Sequence, residues 1–321
     1  MGNRRAKGRA IDGIFILDKP QGLSSNAALQ RVKRAYGAQK AGHTGALDPL
    51  ATGLLPVCLG EATKFSQYLL DADKRYQTTA KLGVRTDSSD ADGEVIEAKP
   101  VPSDLTREQL EALVAEHFMG EIEQVPSMFS ALKFNGQPLY KLARQGIKVE
   151  VKPRQVTIYD IKVTDFRGDE VDLDVHCSKG TYIRSIVEDL GLLLGCGAHV
   201  SMLRRTQAGP FKASQMRTLD ELAQLAQTSD ENTDQESIQA QLDEVLLPPW
   251  VALEDAIALQ LGEAHVKALG FGRAFTPDEP PAVTEEMPYI LLFDAATERF
   301  LGIGELDEEG QVKPKRLVAT N

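Results

Sequence analysis

The stretch GHTGALDPLATGLL, from Gly42 to Leu55, is the most informative part of this 321-residue sequence. Its glycines match neither of the patterns that cradle nucleotide phosphates, G-x-G-x-x-G and G-x-x-x-x-G-K-[ST]. Asp48 stands directly before Pro49, and the residue before a proline is biased towards an extended backbone. The stretch predicts a loop that presents the Asp48 carboxylate rigidly, with a simple turn residue as the alternative interpretation.

Strand and helix patterns alternate irregularly on both sides of this loop, which predicts an α+β fold. Strands are predicted at Gly13 to Leu17, Leu54 to Leu59, Arg75 to Val84, Gln155 to Phe166, Glu170 to Cys177 and Val200 to Gln207. Helices are predicted after Ser24 or Ser25, around Glu61 to Leu70, from a capping box at Thr106 and Gln109 through His117, and along the apolar stripe of Ile183, Ile186, Val187 and Leu190.

Composition changes along the chain predict two domains. The larger one covers residues 1–247, with a basic insertion at about 126–154 and an acidic helical segment at about 219–247. The smaller one covers residues 248–321 and is predicted to consist of short strands with one helix near Leu261 to Leu269.

The formal net charge of −11 at first argues against a nucleic-acid partner. However, much of the acidity lies between Leu219 and Ile257, a segment without Lys or Arg. Basic residues concentrate before His43 and again between Lys133 and Arg154. Because local fields steer a polyanion, these two stretches are candidate RNA-binding surfaces, although each could equally be a solvated surface.

Other functional classes find little support in the sequence. The three cysteines form no C-x-x-C pair, and the five histidines show no metal-ligand spacing, so we expect neither disulfides nor a metal site. No apolar run is long enough for a bilayer, and the first residues contain no hydrophobic export segment. We therefore expect a cytoplasmic protein without a membrane partner.

Six segments resemble those of the TruB family of tRNA pseudouridine synthases, in the family's order. They are GIFILDKPQGLSS, LDPLATGLL, KRYQTTAKLG, VPSMFSALKFNGQPLYKLARQG, KGTYIRS and MLRRTQAGPF, and together they run from about Asp12 to Phe211. The resemblance implies a pseudouridine synthase fold, with a mixed, largely antiparallel sheet flanked by helices and a small PUA-like C-terminal domain. It further implies isomerisation of uridine 55 in the T loop of tRNA, without a cofactor, and an insertion that clamps the T arm.

The resemblance also assigns the catalytic residues. The family's catalytic aspartate falls on Asp48, and its partner arginine on Arg184, which would keep a desolvated carboxylate ionised. Tyr76 would stack on the extruded base and is a candidate proton acceptor. An ionised carboxylate suits the cleavage of a glycosidic bond, whether it attacks C1′, attacks C6 of the uracil or promotes elimination to a glycal.

Five further residues are assigned to substrate binding. Tyr182 would contact the nucleoside and Leu203 would line the pocket beside the uracil. His43 would occupy the space that flipped bases leave, and Lys19 and Lys64 are candidate phosphate contacts.

Three alternatives compete with this interpretation. A non-catalytic tRNA-folding chaperone would need neither Asp48 nor Arg184, although a dual role stays open. A guide-dependent enzyme acting on ribosomal RNA is a relative that works with partner proteins, whereas the long basic insertion favours a stand-alone, monomeric enzyme. A hydrolase with paired carboxylates would need a second acid beside Asp48, and no motif supplies one.

Overall fold

The computed structural model describes residues 8–130, 132–227, 234–253, 255–279, 281–284 and 287–319. Within these ranges, the α-helices are α1 (Ser25–Ala35), α2 (Ser66–Asp71), α3 (Arg107–Phe118), α4 (Leu139–Arg144), α5 (Ile183–Leu193), α6 (Leu219–Leu225), α7 (Gln235–Glu244) and α8 (Glu263–Gly270). Short 3₁₀ helices cover Gly60–Lys64, Ala213–Gln215 and Pro249–Leu253.

The strands up to the end of the main sheet are β1 (Gly13–Lys19), β2 (Ala41–His43), β3 (Thr52–Leu59), β4 (Lys74–Leu82), β5 (Val84–Thr86), β6 (Val95–Ala98), β7 (Gly120–Gln124), β8 (Lys133–Phe134), β9 (Gln137–Pro138), β10 (Arg154–Phe166), β11 (Glu170–Cys177), β12 (Ala198–Ala208) and β13 (Phe211–Lys212). Those that follow are β14 (Ile257–Leu261), β15 (Tyr289–Asp294), β16 (Phe300–Leu306) and β17 (Val312–Leu317).

The main sheet has nine strands, in the order β1-β3-β12-β4-β11-β10-β7, with β2 added to β3 and β13 to β12. All of its pairings are antiparallel except that of β3 with β12. The predicted mixed, largely antiparallel sheet is therefore confirmed. The parallel pairing has a functional consequence, because it places the end of the loop around Asp48 beside Arg204 and Arg205 of β12.

Strand β1 is buried on both faces, which explains why its sequence is continuously apolar rather than alternating. Phe15 and Leu17 pack into the large core beneath α1 and α5, whereas Ile14 and Ile16 pack into a smaller cluster on the opposite face. The stripe predicted on α5 belongs to the large core, with its members Ile183, Ile186, Val187 and Leu190 all buried.

A second sheet, in the order β14-β15-β16-β17, forms the β-rich C-terminal part. Its own core joins the main body through an aromatic cluster in which Phe300 packs 5.4 Å from Phe65 and 5.2 Å from Trp250, measured between ring centroids. The boundary at 247/248 stays a prediction. No helix in the described ranges is long and apolar enough to cross a membrane.

Most local predictions agree with the structure. Ser24 caps α1, and the capping box of Thr106 and Gln109 starts α3. The helix expected at Glu61 to Leu70 is instead two pieces, a 3₁₀ helix and α2, that meet at the fully buried Phe65. At this position the Phe65 ring packs into the aromatic cluster.

The basic insertion is more regular than its sequence suggests. Within residues 126–154, apart from Ala131, which lies outside the described residues, it contains the β8-β9 hairpin and helix α4. The acidic segment forms helices α6 and α7, as expected. Residues 228–233, between these two helices, lie outside the described ranges, as do the basic residues before Gly8.

Candidate active site

The loop that carries Asp48 connects β2 to β3 and is anchored by backbone hydrogen bonds. The buried Ser25 hydroxyl accepts a bond from the Leu47 N–H at 2.7 Å and lies 2.9 Å from the Leu47 carbonyl, to which it donates. On the other side of Asp48, the Pro49 carbonyl accepts a bond from the Gly22 N–H at 2.8 Å. The start of α1 and the turn before it therefore hold the backbone on both sides of the aspartate.

Gly53, the second residue of β3, has a backbone conformation that requires glycine. Its φ is +94°, and a Cβ at this position would lie 2.2 Å from the Arg205 carbonyl oxygen of β12. The close approach lets β3 pair in parallel with β12, so the loop sits directly against the strand that carries Leu203 and Arg205.

Asp48 is paired with Arg184, the second residue of α5. Its Oδ2 lies 3.0 Å from Arg184 Nη2, and the Arg184 side chain is only 4% exposed. The guanidinium also donates to the carbonyls of Ser88 at 2.9 Å and Phe129 at 3.0 Å. These bonds fix its orientation, so the charge faces Asp48 before any substrate binds.

Burial and charge act in opposite directions on the Asp48 carboxyl. The side chain keeps 41% of its surface because it faces an open cleft, yet the surrounding protein desolvates it. Desolvation raises the pKa of Asp48 above 3.8, Arg184 opposes that rise, and Asp90 adds to it. Arg184 therefore lowers the pKa of Asp48 but does not cancel the rise that burial causes. This effect is weaker than the sequence led us to expect.

Asp90 is a neighbouring acid that sequence reasoning missed. It is 4% exposed, and its carboxylate lies 3.4 Å from Arg184 Nη1. The same carboxylate accepts bonds from the Ser88 hydroxyl and the Asp92 N–H. Because Asp90 is buried behind Arg184 and does not line the cleft, it orients the guanidinium and is not the second acid of a hydrolase. The polar turn between β5 and β6 was its only signal in the sequence.

Tyr76, Tyr182 and Leu203 line the same cleft as Asp48 and Arg184, with a volume of about 280 Å³. Tyr76 lies on β4 between β11 and β12, and Leu203 is 7% exposed on β12. Burial raises the pKa of the Tyr76 hydroxyl, and the nearby Arg205 opposes that rise. The tertiary fold thus brings together five of the eight residues singled out in the sequence.

Arg205 is a second cleft residue that sequence reasoning missed. It is 1% exposed, and its guanidinium donates to the Leu54 carbonyl at 2.7 Å and to the Gly45 carbonyl at 3.0 Å. It therefore ties both ends of the Asp48 loop to β12. Two adjacent arginines in a predicted strand were its only signal in the sequence.

Lys19 is not placed as a phosphate contact. It has no exposed surface, and its Nζ donates to the carbonyls of Pro20 at 2.9 Å and Leu23 at 2.6 Å, with Pro49 at 3.4 Å. Burial lowers the pKa of its ammonium to about 8. The structure therefore corrects the prediction: the Lys19 ammonium is already bound by backbone carbonyls, and the residue braces the Asp48 loop from beneath.

His43 and Lys64 lie outside the cleft lining. His43 pairs with Val57 at the edge of β3, and burial lowers the pKa of its imidazole. Lys64 contacts Glu61 at 2.5 Å and donates to the Leu317 carbonyl of β17 at 2.9 Å. Their RNA-contacting roles stay predictions.

No cluster of three or more His, Cys, Asp or Glu side chains among the described residues is arranged to hold a metal ion. The cleft instead offers one carboxylate, two tyrosines, an apolar wall and several cations. This set can bind a planar base and place a negative oxygen beside a sugar carbon that develops positive charge.

Comparison with known proteins identifies similar chains over the full length. Residues 33–183 match the model of the TruB family pseudouridylate synthase N-terminal domain, and residues 184–254 and 258–318 match two C-terminal TruB models. The protein named tRNA pseudouridine synthase B from Vibrio vulnificus strain YJ016 is 52% identical over 98% of both chains. The protein of that name from Shewanella sp. strain MR-7 is 53% identical over 98% of this chain and 96% of its own.

Solved structures show the same fold. A Cbf5-Nop10-Gar1 complex contains a chain that is 26% identical, with a TM-score of 0.70 over 95% of this chain and 84% of that one. The archaeal box H/ACA sRNP Nop10-Cbf5 complex contains one that is 25% identical, with a TM-score of 0.68 over 95% and 85%.

Proposed function

The chain belongs to the TruB family of pseudouridylate synthases, and from this premise we propose that it isomerises uridine 55 in the T loop of tRNA with Asp48 as the catalytic carboxylate. The reaction breaks the bond between C1′ and N1, rotates the uracil and joins C5 to C1′. The hydrogen on C5 leaves to water and N1 takes up a proton, so atoms and electrons balance without a redox partner.

The pairing of Asp48 with Arg184 at 3.0 Å is the observation that carries this proposal. A carboxylate in this setting can bond to the nucleoside or stabilise positive charge on the sugar. When an extruded uridine fills the cleft and excludes water, the attraction between the two charges strengthens. Tyr76 stacks on the base, Leu203 lines the pocket beside the uracil and Tyr182 contacts the nucleoside through its hydroxyl.

The enzyme is proposed to act alone, as a cytoplasmic monomer that binds the T arm through the basic insertion. Its high identity to enzymes named as single chains supports this, whereas the two solved neighbours in complexes described above are only 25–26% identical. Light scattering of the purified protein should give a mass near 35.1 kDa, and a doubled mass would contradict the monomer. Cell fractionation tests the compartment.

The experiment uses an unmodified T-arm stem-loop with tritium at C5 of the target uridine. Wild-type protein should release the label to water, and Asp48→Asn should release none above background. Asp104→Asn is the matched control, because Asp104 is exposed in the turn before α3 and lies outside the cleft. Equal release by wild type and Asp48→Asn would remove Asp48 from the mechanism, and no release by wild type would reject the proposed activity.

A further inference from the structure

Arg154, the first residue of β10, lines the same cleft as Asp48 but has no role in the chemistry described above. Its guanidinium carbon lies 4.5 Å from the centroid of the Tyr182 ring. The guanidinium also lies close to Gly180, because a Cβ at this glycine would lie 3.4 Å from Nη1. The guanidinium is thus packed against an aromatic ring beside a glycine that leaves room for it.

The free donors of this guanidinium lie along one edge. Nε and Nη2 are both buried, and neither has a hydrogen-bond partner among the residues that the structure describes. The N–H bonds of these two atoms point in parallel from the same edge of an arginine. That edge matches two oxygens of a single oxyanion, which is the geometry of bidentate phosphate recognition.

The other cations of the cleft are already occupied by protein groups. Arg184 is bound to Asp48 and to two carbonyls, Arg205 is bound to two carbonyls, and Lys74 donates to the carbonyl of Leu70 at 2.7 Å. Asp48 is the one carboxylate that lines the described cleft. A buried, unsatisfied donor pair is costly, so the Arg154 edge is expected to find a partner when the cleft fills.

We propose that Arg154 binds a phosphodiester of the RNA next to the extruded uridine, in a bidentate contact through Nε and Nη2. The inference rests on the proposed function, since it names the group that holds the backbone of the same substrate. The position of Arg154 supports RNA as the source of the phosphate, because β10 begins where the basic insertion ends.

The two ends of the insertion also hold Tyr182. The buried Gln124, which pairs with Arg154 across β7 and β10, bonds both backbone groups of Tyr182, at 3.0 Å to its N–H and 3.2 Å to its carbonyl. The phosphate contact would therefore form on a platform that already positions the nucleoside-contacting tyrosine.

The test measures binding in an Asp48→Asn parent, so that it does not depend on turnover. T-arm stem-loops carry a neutral methylphosphonate at one linkage at a time around the target uridine. In the parent, one flanking methylphosphonate should raise Kd about tenfold, as expected for loss of a charged hydrogen bond. In the Asp48→Asn, Arg154→Ala protein the same methylphosphonate should change Kd less than about twofold, because the contact is already absent. Equal sensitivity of both proteins at every linkage would overturn the proposal.

Two further variants keep the result interpretable. Lys162→Ala removes an exposed cation from the far part of β10 and should leave the sensitive linkage unchanged. Arg154→Lys keeps the positive charge and serves as a second variant if Arg154→Ala folds poorly. It should retain the salt dependence of binding, and the methylphosphonate should raise its Kd less than it raises that of the parent. If the methylphosphonate raised the Kd of Arg154→Lys as much as that of the parent, the bidentate contact would be overturned. Failure of the proposed activity can be distinguished from failure of this inference, because the activity is measured by tritium release with the wild-type protein and the phosphate contact by Kd.

Discussion

Replacing Arg184 by lysine tests the electrostatic core of the mechanism most directly. The change keeps a positive charge but loses the planar donors that reach Asp48, the Ser88 carbonyl and the Phe129 carbonyl at 2.9 to 3.0 Å. We expect the Arg184→Lys variant to bind RNA almost normally and to react slowly, because the lost contact keeps the Asp48 carboxylate ionised and oriented for the chemical step.

The distance of 3.0 Å sets the scale of the effect. Two unit charges this far apart attract by about 5.5 kcal/mol at an effective dielectric constant of about 20. Since Asp48 is 41% exposed, solvent screening reduces this value, and a charged hydrogen bond of about 1.5–3 kcal/mol is the better guide. That range corresponds to a rate loss of about 10- to 150-fold.

Single-turnover tritium release at saturating enzyme measures the rate, and filter binding measures Kd. Arg85→Lys is the matched control, because Arg85 also bridges two carboxylates, Glu97 at 3.2 Å and Glu188 at 3.0 Å, outside the cleft. A rate similar to that of wild type, or a loss confined to Kd, would refute the assigned role of Arg184.

The same geometry supports two further predictions. Because the reaction requires ionised Asp48, whose pKa is raised, kcat/KM should fall as the pH drops through a value above 3.8. Asp90→Asn removes a negative charge that raises the pKa of Asp48, so it should move this acid limb of the pH profile to lower pH. A limb that stays in place or moves to higher pH would contradict the coupling between the two carboxylates. Gly53→Ala should lower the free energy of unfolding by about 1–3 kcal/mol or more, because the φ of +94° and the Arg205 carbonyl oxygen 2.2 Å from the new Cβ both disfavour a side chain. Urea unfolding measures this loss, and an unchanged midpoint would show that β3 and β12 move apart easily.

Much of the fold was predictable because it depends on neighbours in the chain. The hairpin of β10 and β11 follows from two alternating segments separated by a short turn, and α3 follows from its capping box. Asp48, Arg184 and Tyr76 were selected through motif resemblance, since a lone aspartate before proline has many ordinary roles. The resemblance could not supply Asp90, because a polar turn carries no sign of the buried guanidinium behind it.

The prediction for Lys19 was wrong for a related reason. A lysine beside Pro20 in a basic segment is typical of an exposed cation, and only the packed loop shows that three carbonyls surround its ammonium. Burial is a property of every element packed around a residue, so one segment of sequence does not report it.

The sequence by itself determined most of the long strands and helices, the position of the catalytic loop and the family to which these motifs point, because periodicity, caps and motif spacing are local properties. Only the tertiary structure decided which charges meet. Asp48, Asp90 and Arg184 come from separate segments, and the interactions among them depend on distances and desolvation that exist only once the main sheet has assembled.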